Sequence, residues 1–525
     1  MDFDAQKLTD DPCQLKQIIS LLTADRQHDQ EKIRYLEQYV RLLKNEIFGR
    51  KTEKHVVLDD KQRLLFSEED VQLPAAENPP AEPVVVPEHS RQKRGRKPLP
   101  AGLPRVDVIH DIEESEKTCQ CGCQLNRIGE ETCEKLDYVP AVVRVERHIR
   151  YKYACPACEG VDSDGPTVKI APAAEQLIPK SIVTAGLLAH IVVSKFEDAL
   201  PFYRQEKMFA RLGIELGRAT MCGWVIKIWE LVAPLLELLC ADLCSGPVVN
   251  IDETPLQVLN EPGRKNTAKS FMWVFRGGDP DRPALVYQYH PTRSGQVPLS
   301  FLDGYRGFVQ ADGYKGYEAL DHQPGIDLVG CWVHARRYFV KVVQAKGNPK
   351  RTGSAEEALG YIGKLYAIEK QAREKELAPE EIYTLRQEKA KPVLDEFKDW
   401  LDKKSVTTPP KGLLGKAIGY TLNNWKYLMR YLDDGRLRPD NNLVENAIRP
   451  FVVGRKNWLF SGHPKGAEAS AAMYSLIETA KANGLNPYYY LRHLFECLPS
   501  AKSEHDLKKL LPQYLDPIAI NPANK

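Results

Sequence analysis

The stretch VVNIDETPLQV, residues 248–258, and a second one like it, GFVQADGYKGY, residues 307–317, decide the fold of this chain. Each is an apolar, β-branched run that ends in an aspartate, Asp252 or Asp312, followed at once by polar or turn-prone residues. Such a run predicts a buried strand presenting a carboxylate at its C-terminal end. Between the two, SFMWVFRGG and ALVYQYH predict two more strands, and the residues from Val297 to Leu302 a short helix. Another short helix near Tyr317 to Leu320 and a fifth apolar run, IDLVGCWV, follow Asp312. The expected order is strand, strand, strand, helix, strand, helix, strand, with acids on the first and fourth strands.

A third acid lies in RPDNNLVENAIRPF, residues 438–451, where the period is helical. At about 100° per residue, Leu443, Val444, Ala447, Ile448 and Phe451 share one face, and Asn442, Glu445, Asn446 and Arg449 the other. Asp440 is the expected N-cap, and Pro450 is expected to end or kink the helix near Arg449. Glu445 therefore points away from the packed face. Any one of these acids could be an ordinary solvated residue, and Asp440, Glu468 and Glu478 rival Glu445; the set of three is what points to chemistry. Carboxylates from two strands and a helix can hold two divalent ions roughly 3.5–4 Å apart, an arrangement that activates an attacking oxygen and stabilises a leaving one. Hard oxygen ligands favour Mg²⁺ or Mn²⁺.

NIDETPLQV, ADGYKGY, CWVHARRYF, DNNLVENAIRPFVVGRKNWLF and the upstream IGEETCEKLDYVPAVVRVERHIRYKYACPAC together resemble the DDE-type transposases of the insertion sequence 66 family, along nearly the whole chain. The resemblance implies a ribonuclease H-like catalytic core with Asp252, Asp312 and Glu445 as its triad. It also implies nicking of the element ends by metal-dependent hydrolysis, with attack of the freed 3′-hydroxyl on target DNA. A leucine zipper, a zinc-finger-like domain and small accessory proteins encoded by the same mobile element are implied as well.

The expected architecture is α/β and multidomain. Residues 1–50 carry a heptad repeat, Leu15, Leu22, Asp29, Leu36 and Leu43 alternating with Ile19, Arg26, Ile33, Val40 and Ile47, which predicts a coiled-coil dimerisation helix weakened in its middle. Residues 51–100 form an expected flexible linker, rich in Pro, Ala, Glu and Val from about residue 71. It ends in a basic strip whose Arg94, Arg96 and Lys97 suit a narrow minor groove. Residues 101–165 are expected to be a zinc-finger-like DNA-binding domain. Cys155 and Cys158 supply one pair of thiolates for a structural Zn²⁺, and two of Cys119, Cys121 and Cys123 the other. Residues 166–245 read as a helical, helix-turn-helix-like region broken at Pro201, Gly213 and Gly217, with Arg204, Lys207, Arg211 and Arg218 available to DNA.

The core is expected to occupy 246–347 and 432–490, split by an all-helical insertion at 348–431 and followed by a helical tail at 491–525. Cys331 and His334 in CWVHARRYF are spaced CxxH, which alone is too few ligands for a metal site. His334 is expected to support the active site, together with Asn442, Asn446 and Arg449, while Arg336, Arg337, Arg455 and Lys456 contact DNA phosphates.

A hydrophobic content of 43% suits globular protein, and the apolar stretches are too short or too charged to cross a membrane. Twelve cysteines without a signal peptide pattern suggest reduced thiols or metal sites in a bacterial cytoplasm, at the nucleoid. With a formal net charge of +2, DNA affinity must come from local basic clusters. The expected partners are DNA and further copies of the chain. A metal-dependent nuclease without strand transfer, or an inactive DNA-binding remnant, are the alternatives.

Overall fold

The strand-forming runs assemble into one mixed five-stranded sheet in the computed structural model, which describes residues 12–48, 143–154, 168–170, 175–346 and 352–521. In chain order these residues form α1 (Pro12–Phe48), a small ladder β1 (Lys152–Ala154) with β2 (Val168–Ile170), then α2 (Ala185–Phe196), α3 (Phe202–Arg211) and α4 (Arg218–Leu243). The sheet comprises β3 (Val248–Gln257), β4 (Lys269–Asp279), β5 (Arg282–His290), β6 (Gly307–Gln310) and β7 (Ile326–Val329). Helix α5 (Gln296–Phe301) precedes β6, and a 3₁₀ segment, Lys315–His322, follows it. The strand order is β5-β4-β3-β6-β7; β3, β4 and β5 are antiparallel, and β6 and β7 run parallel to β3.

One expectation changes here. Asp252 does not end its strand: β3 continues to Gln257 because β4 pairs with it from Asn250 to Gln257. Only the parallel partner stops early, β6 ending at Gln310 opposite Asn250. Asp252 thus stands where two-sided pairing gives way to one-sided pairing, and its carboxylate gains room beside the strand that has ended.

Downstream come α6 (Trp332–Gln344), α7 (Ser354–Glu374), α8 (Pro379–Leu385), α9 (Lys391–Thr407), α10 (Leu413–Asn423) and α11 (Trp425–Met429). These pack round their own core of Trp332, Phe339, Ile362, Phe397, Leu401 and Ile418, distinct from the core under the sheet. The chain returns as α12 (Asn442–Trp458), α13 (Pro464–Ala482), α14 (Pro487–Cys497), α15 (Glu504–Lys509) and α16 (Pro517–Ile520).

Helix α13 protects the edge of the sheet. Its run of alanines and serines allows close approach to β5, and the hydroxyls of Ser475 and Thr479 accept the backbone N–H groups of Tyr287 and Leu285 at 2.8 and 3.0 Å. The free edge of β5 is thereby satisfied instead of being left open to another chain.

Helix α12 departs from expectation in two ways. It passes through Pro450 and reaches Trp458. Proline removes a ladder donor and crowds the preceding turn; here the Tyr287 hydroxyl donates to Ala447 O in that turn, while Phe451 anchors the far side of the proline in the core. The N-cap is Asn441, yet Asp440 still serves the helix start, its Oδ1 accepting the N–H of Asn442 at 3.2 Å.

In α1, the heptad residues Ile19, Leu22, Ile33, Leu36, Val40 and Leu43 are exposed, so this seam is not packed against the other described residues. Neighbouring positions make the contacts instead: Leu42 is buried, Asn45 donates to Gln344 O, and Lys416 donates to the Tyr35 hydroxyl. Arg94, Arg96, Lys97, Cys119, Cys121, Cys123, Cys155 and Cys158 lie outside the described residues. No helix among the described residues is long and apolar enough to cross a membrane.

Candidate active site

The strand ends and the start of α12 are stitched together by amides. Asn250 Nδ2 on β3 lies 3.0 Å from both Gln310 Oε1 on β6 and Asn441 Oδ1 at the cap of α12. Asn441 Nδ2 donates to Ile251 O at 2.9 Å, and Gln310 Nε2 to Arg438 O at 2.6 Å. All three side chains are buried. Backbone links close the joint: Asn441 N donates to Cys331 Sγ at 3.3 Å, Trp332 N to Pro439 O at 2.8 Å, and Glu445 N to Asn441 O at 3.2 Å. One residue, Asn441, therefore bonds to the strand beside Asp252 and to the backbone of Glu445. Sequence reading missed this clamp; the only hint was polar residues at strand positions where apolar ones belong.

The clamp brings the three predicted acids to one place. Asp252 Oδ1 accepts the N–H of Glu253 at 2.9 Å, and Asp312, two residues past β6, accepts the N–H of Tyr314 at 2.9 Å. Burial holds the Asp252 carboxyl well above the usual carboxylate range, and the charges of Glu253, Glu445 and Asp312 push it the same way. Like charges gathered in a partly buried site favour a cation among them. Among the described residues, Glu445 Oε1 has no hydrogen-bond partner, nor has His334 Nδ1 at 3.8 Å from it. These unpartnered polar atoms and the all-oxygen acid set fit divalent metal.

Among the described residues, the group with ligand atoms all within 4.8 Å of one another is Cys331, His334 and Glu445, and not the three acids. Acids shared between two ions spread wider than ligands round one. Cys331, moreover, is a protonated thiol, pushed up to about 12 by burial and already accepting an N–H bond. Burial also lowers the His334 pKa, against the opposing pull of Glu445, so the ring is neutral at pH 7.

The predicted basic residues separate. Arg337 is exposed, with Nη2 at 3.8 Å from Glu445 Oε2, so it orients the acid as well as facing solvent. Arg455 donates to the Thr254 hydroxyl at 3.1 Å, two residues beyond Asp252 on β3, and Lys456 is exposed. Arg336 and Asn442 are half-buried, while Asn446 and Arg449 lie on the open face of α12. A second missed element lies beside Asp252: Glu253, its carboxylate nearly fully buried, pairs with Arg293 and accepts from the Tyr317 hydroxyl. The Arg293 guanidinium stacks 3.8 Å over the Tyr314 ring, and Tyr314 donates to Arg293 O at 2.8 Å.

Comparison with known proteins places the chain in a family. The model of the family described as "Transposase IS66 family" matches residues 180–469. Three others match elsewhere: "Transposase C of IS166 homeodomain" at 35–108, "zinc-finger binding domain of transposase IS66" at 116–159, and "IS66 C-terminal element" at 475–513. The uncharacterized protein y4jD of Sinorhizobium fredii (strain NBRC 101917 / NGR234) is 37% identical over 499 residues, covering 91% of this chain and 94% of its own length. The uncharacterized protein y4qI of the same organism is 30% identical over 521 residues, covering 96% and 93%. With one family match spanning over half of the sequence and relatives aligned along nearly all of it, this chain belongs to the IS66 transposase family.

Proposed function

We propose that this chain is a DDE-type DNA transposase whose ribonuclease H-like core uses Asp252, Asp312 and Glu445 to hold two Mg²⁺ or Mn²⁺ ions. The observation carrying the reading is that Asp252, on the central strand, feels the charges of both Asp312 and Glu445, which arrive from an adjacent parallel strand and from a packed helix. The sheet order β5-β4-β3-β6-β7, with three antiparallel strands and two parallel ones, supports the ribonuclease H-like assignment. When bound, the ions polarise the phosphate and lower the pKa of the attacking oxygen.

The chain's own residues do the rest. Asn441 sets the third acid against the first, Arg337 and neutral His334 flank Glu445, and Arg455 presents positive charge along β3. In the first reaction a water oxygen attacks phosphorus at an element end, the P–O3′ bond breaks, and a 3′-hydroxyl is freed. In the second, that hydroxyl attacks a target phosphodiester and expels the target's own 3′-oxygen. Two of Cys119, Cys121 and Cys123, with Cys155 and Cys158, would hold a structural Zn²⁺ in a module for the element ends. The exposed heptad seam of α1 would pair two copies.

A plasmid transposition assay with the complete element tests the reading through Asp252→Asn, Asp312→Asn and Glu445→Gln. Insertion should vanish in each while binding to element ends persists. Persistent insertion in any variant would remove that acid from the triad, and cleaved products without joined ones in the wild type would make the protein a nuclease.

A further inference from the structure

A cleft of about 160 Å³ opens beside the amide clamp, lined by Asn250, Gln310, Arg276, Arg436, Arg438 and Asp279. That space is roughly ten times what one water needs. Arg276 on β4 stands opposite Asn250 in the register, so it shares the sheet face of Asn250 and of Asp252 two residues on. Burial lowers the Arg276 pKa to about 10, with the like charge of Arg438 adding to the effect, and the group is still charged at pH 7. Arg276 has no acidic neighbour among the described residues that offsets its charge, whereas Arg438 lies within electrostatic reach of Asp440. Arg436 differs, since its charge is engaged by Asp434 at 2.5 Å. Asp279 sits exposed at the rim, its Oδ1 accepting the N–H of Asp281 at 2.9 Å.

A half-buried guanidinium without a counter-charge is costly, and a second one at the same cleft raises the cost. An anionic ligand in the cleft would supply the counter-charge that Arg276 lacks. We propose that Arg276 and Arg438 form a phosphate subsite that takes a phosphodiester of the DNA strand lying across the acids. The inference rests on the transposase reading for its choice of DNA over free phosphate. Two residues along a strand span roughly 6.6–6.8 Å, and one DNA strand carries a phosphate per about 3.4 Å of axis rise. The distance from Asp252 to Asn250 at the edge of the cleft is thus within the spacing of neighbouring phosphates on a strand whose reacting phosphate lies at Asp252.

The test uses the full chain and a short DNA duplex, with affinity measured by fluorescence anisotropy across salt concentrations. Arg276→Gln and Arg438→Gln should each flatten the log–log salt dependence by about 0.9, while Arg276→Lys should retain it. Arg438 is exposed, so its variant stands even if Arg276→Gln, at a half-buried position, fails to fold. Unchanged slopes in a folded Arg438→Gln would overturn the proposal. So would a thermal shift with inorganic phosphate that needs both arginines while the DNA slopes stay the same, since the subsite would then serve free phosphate. Asp252→Asn separates the two inferences. Cleavage surviving in that variant sinks the triad whatever the slopes do, and unchanged slopes beside abolished cleavage sink only the subsite.

Discussion

Two buried charge clusters in this molecule are built on opposite plans. In the helical lobe, Arg386 is 2% exposed and spends all five of its donors: two on Glu369 at 2.8 Å each, and three on the carbonyls of Tyr431, Asp434 and Leu437 at 2.7–2.8 Å. At the acid site, Asp252, Asp312 and Glu445 press like charges together, and Glu445 Oε1 has no hydrogen-bond partner among the described residues. The first cluster is complete without a ligand and stabilises the fold; on the proposed reading, bound metal would complete the second. They are also connected, because Arg386 grips the loop that leads from the lobe into α12 and hence to Glu445.

The sharpest way to break this contrast is Arg386→Ala, which strands Glu369 and three carbonyls in the interior. A loss of about 3–5 kcal/mol in urea unfolding is expected, and a change under about 1 kcal/mol would mean the cluster is not structural.

Asp252→Asn should behave in the opposite sense. The raised Asp252 pKa means that the folded chain holds this proton more tightly than the unfolded one. That contribution to stability is present below about 3.8 and is lost as pH rises through the folded value. The variant should therefore match or exceed wild-type stability at pH 7 without metal, and lose the thermal stabilisation that Mn²⁺ gives the wild type. Its cleavage rate should drop at least about 10²–10³-fold, the range for removing one group that stabilises developing charge. Equal Mn²⁺ stabilisation in both proteins would place the ion elsewhere.

Asn441→Ala sharpens the comparison by acting between the clusters. It leaves Asn250 Nδ2 and Ile251 O short of partners, at a cost of about 1–3 kcal/mol, and releases Glu445 from Asp252. Strand transfer should decline while DNA affinity holds; a loss of affinity alone would contradict a positioning role.

The smallest effect is expected at Glu478, whose pKa burial raises to about 7 despite its pairing with Lys481 at 3.1 Å. Its contribution is present below about 4.5 and fades as pH rises through about 7, so Glu478→Gln should flatten the stability profile between pH 5 and 8. A profile that stays as steep in the variant would assign the pH dependence to another group.

Much of this was legible in the residues. The five strands of the sheet, the intervening helices and the outward face of Glu445 followed from period and composition, since alternation and helical spacing are local properties. The breaks near Pro201 and Gly213–Gly217 separate α2, α3 and α4 as read. Pro450 misled because the rule for proline assumes an unassisted helix, whereas the Tyr287 hydroxyl and the seat of Phe451 come from elsewhere. Asp252 was placed at a strand end because the polar residues after it read as a turn, while pairing with β4 carries the strand onward.

By itself the sequence determined which residues form strands and helices, and the family to which the chain belongs. These depend on neighbours within a few positions, or on long motifs read as strings. Only the tertiary structure decided that Asn441 joins the strand of Asp252 to the helix of Glu445, that Arg386 is saturated, and that Arg276 and Arg438 face one cleft. Each of those pairs residues far apart in the chain. Whether a buried polar group is satisfied depends on what the fold brings within about 3 Å of it, which no local pattern encodes.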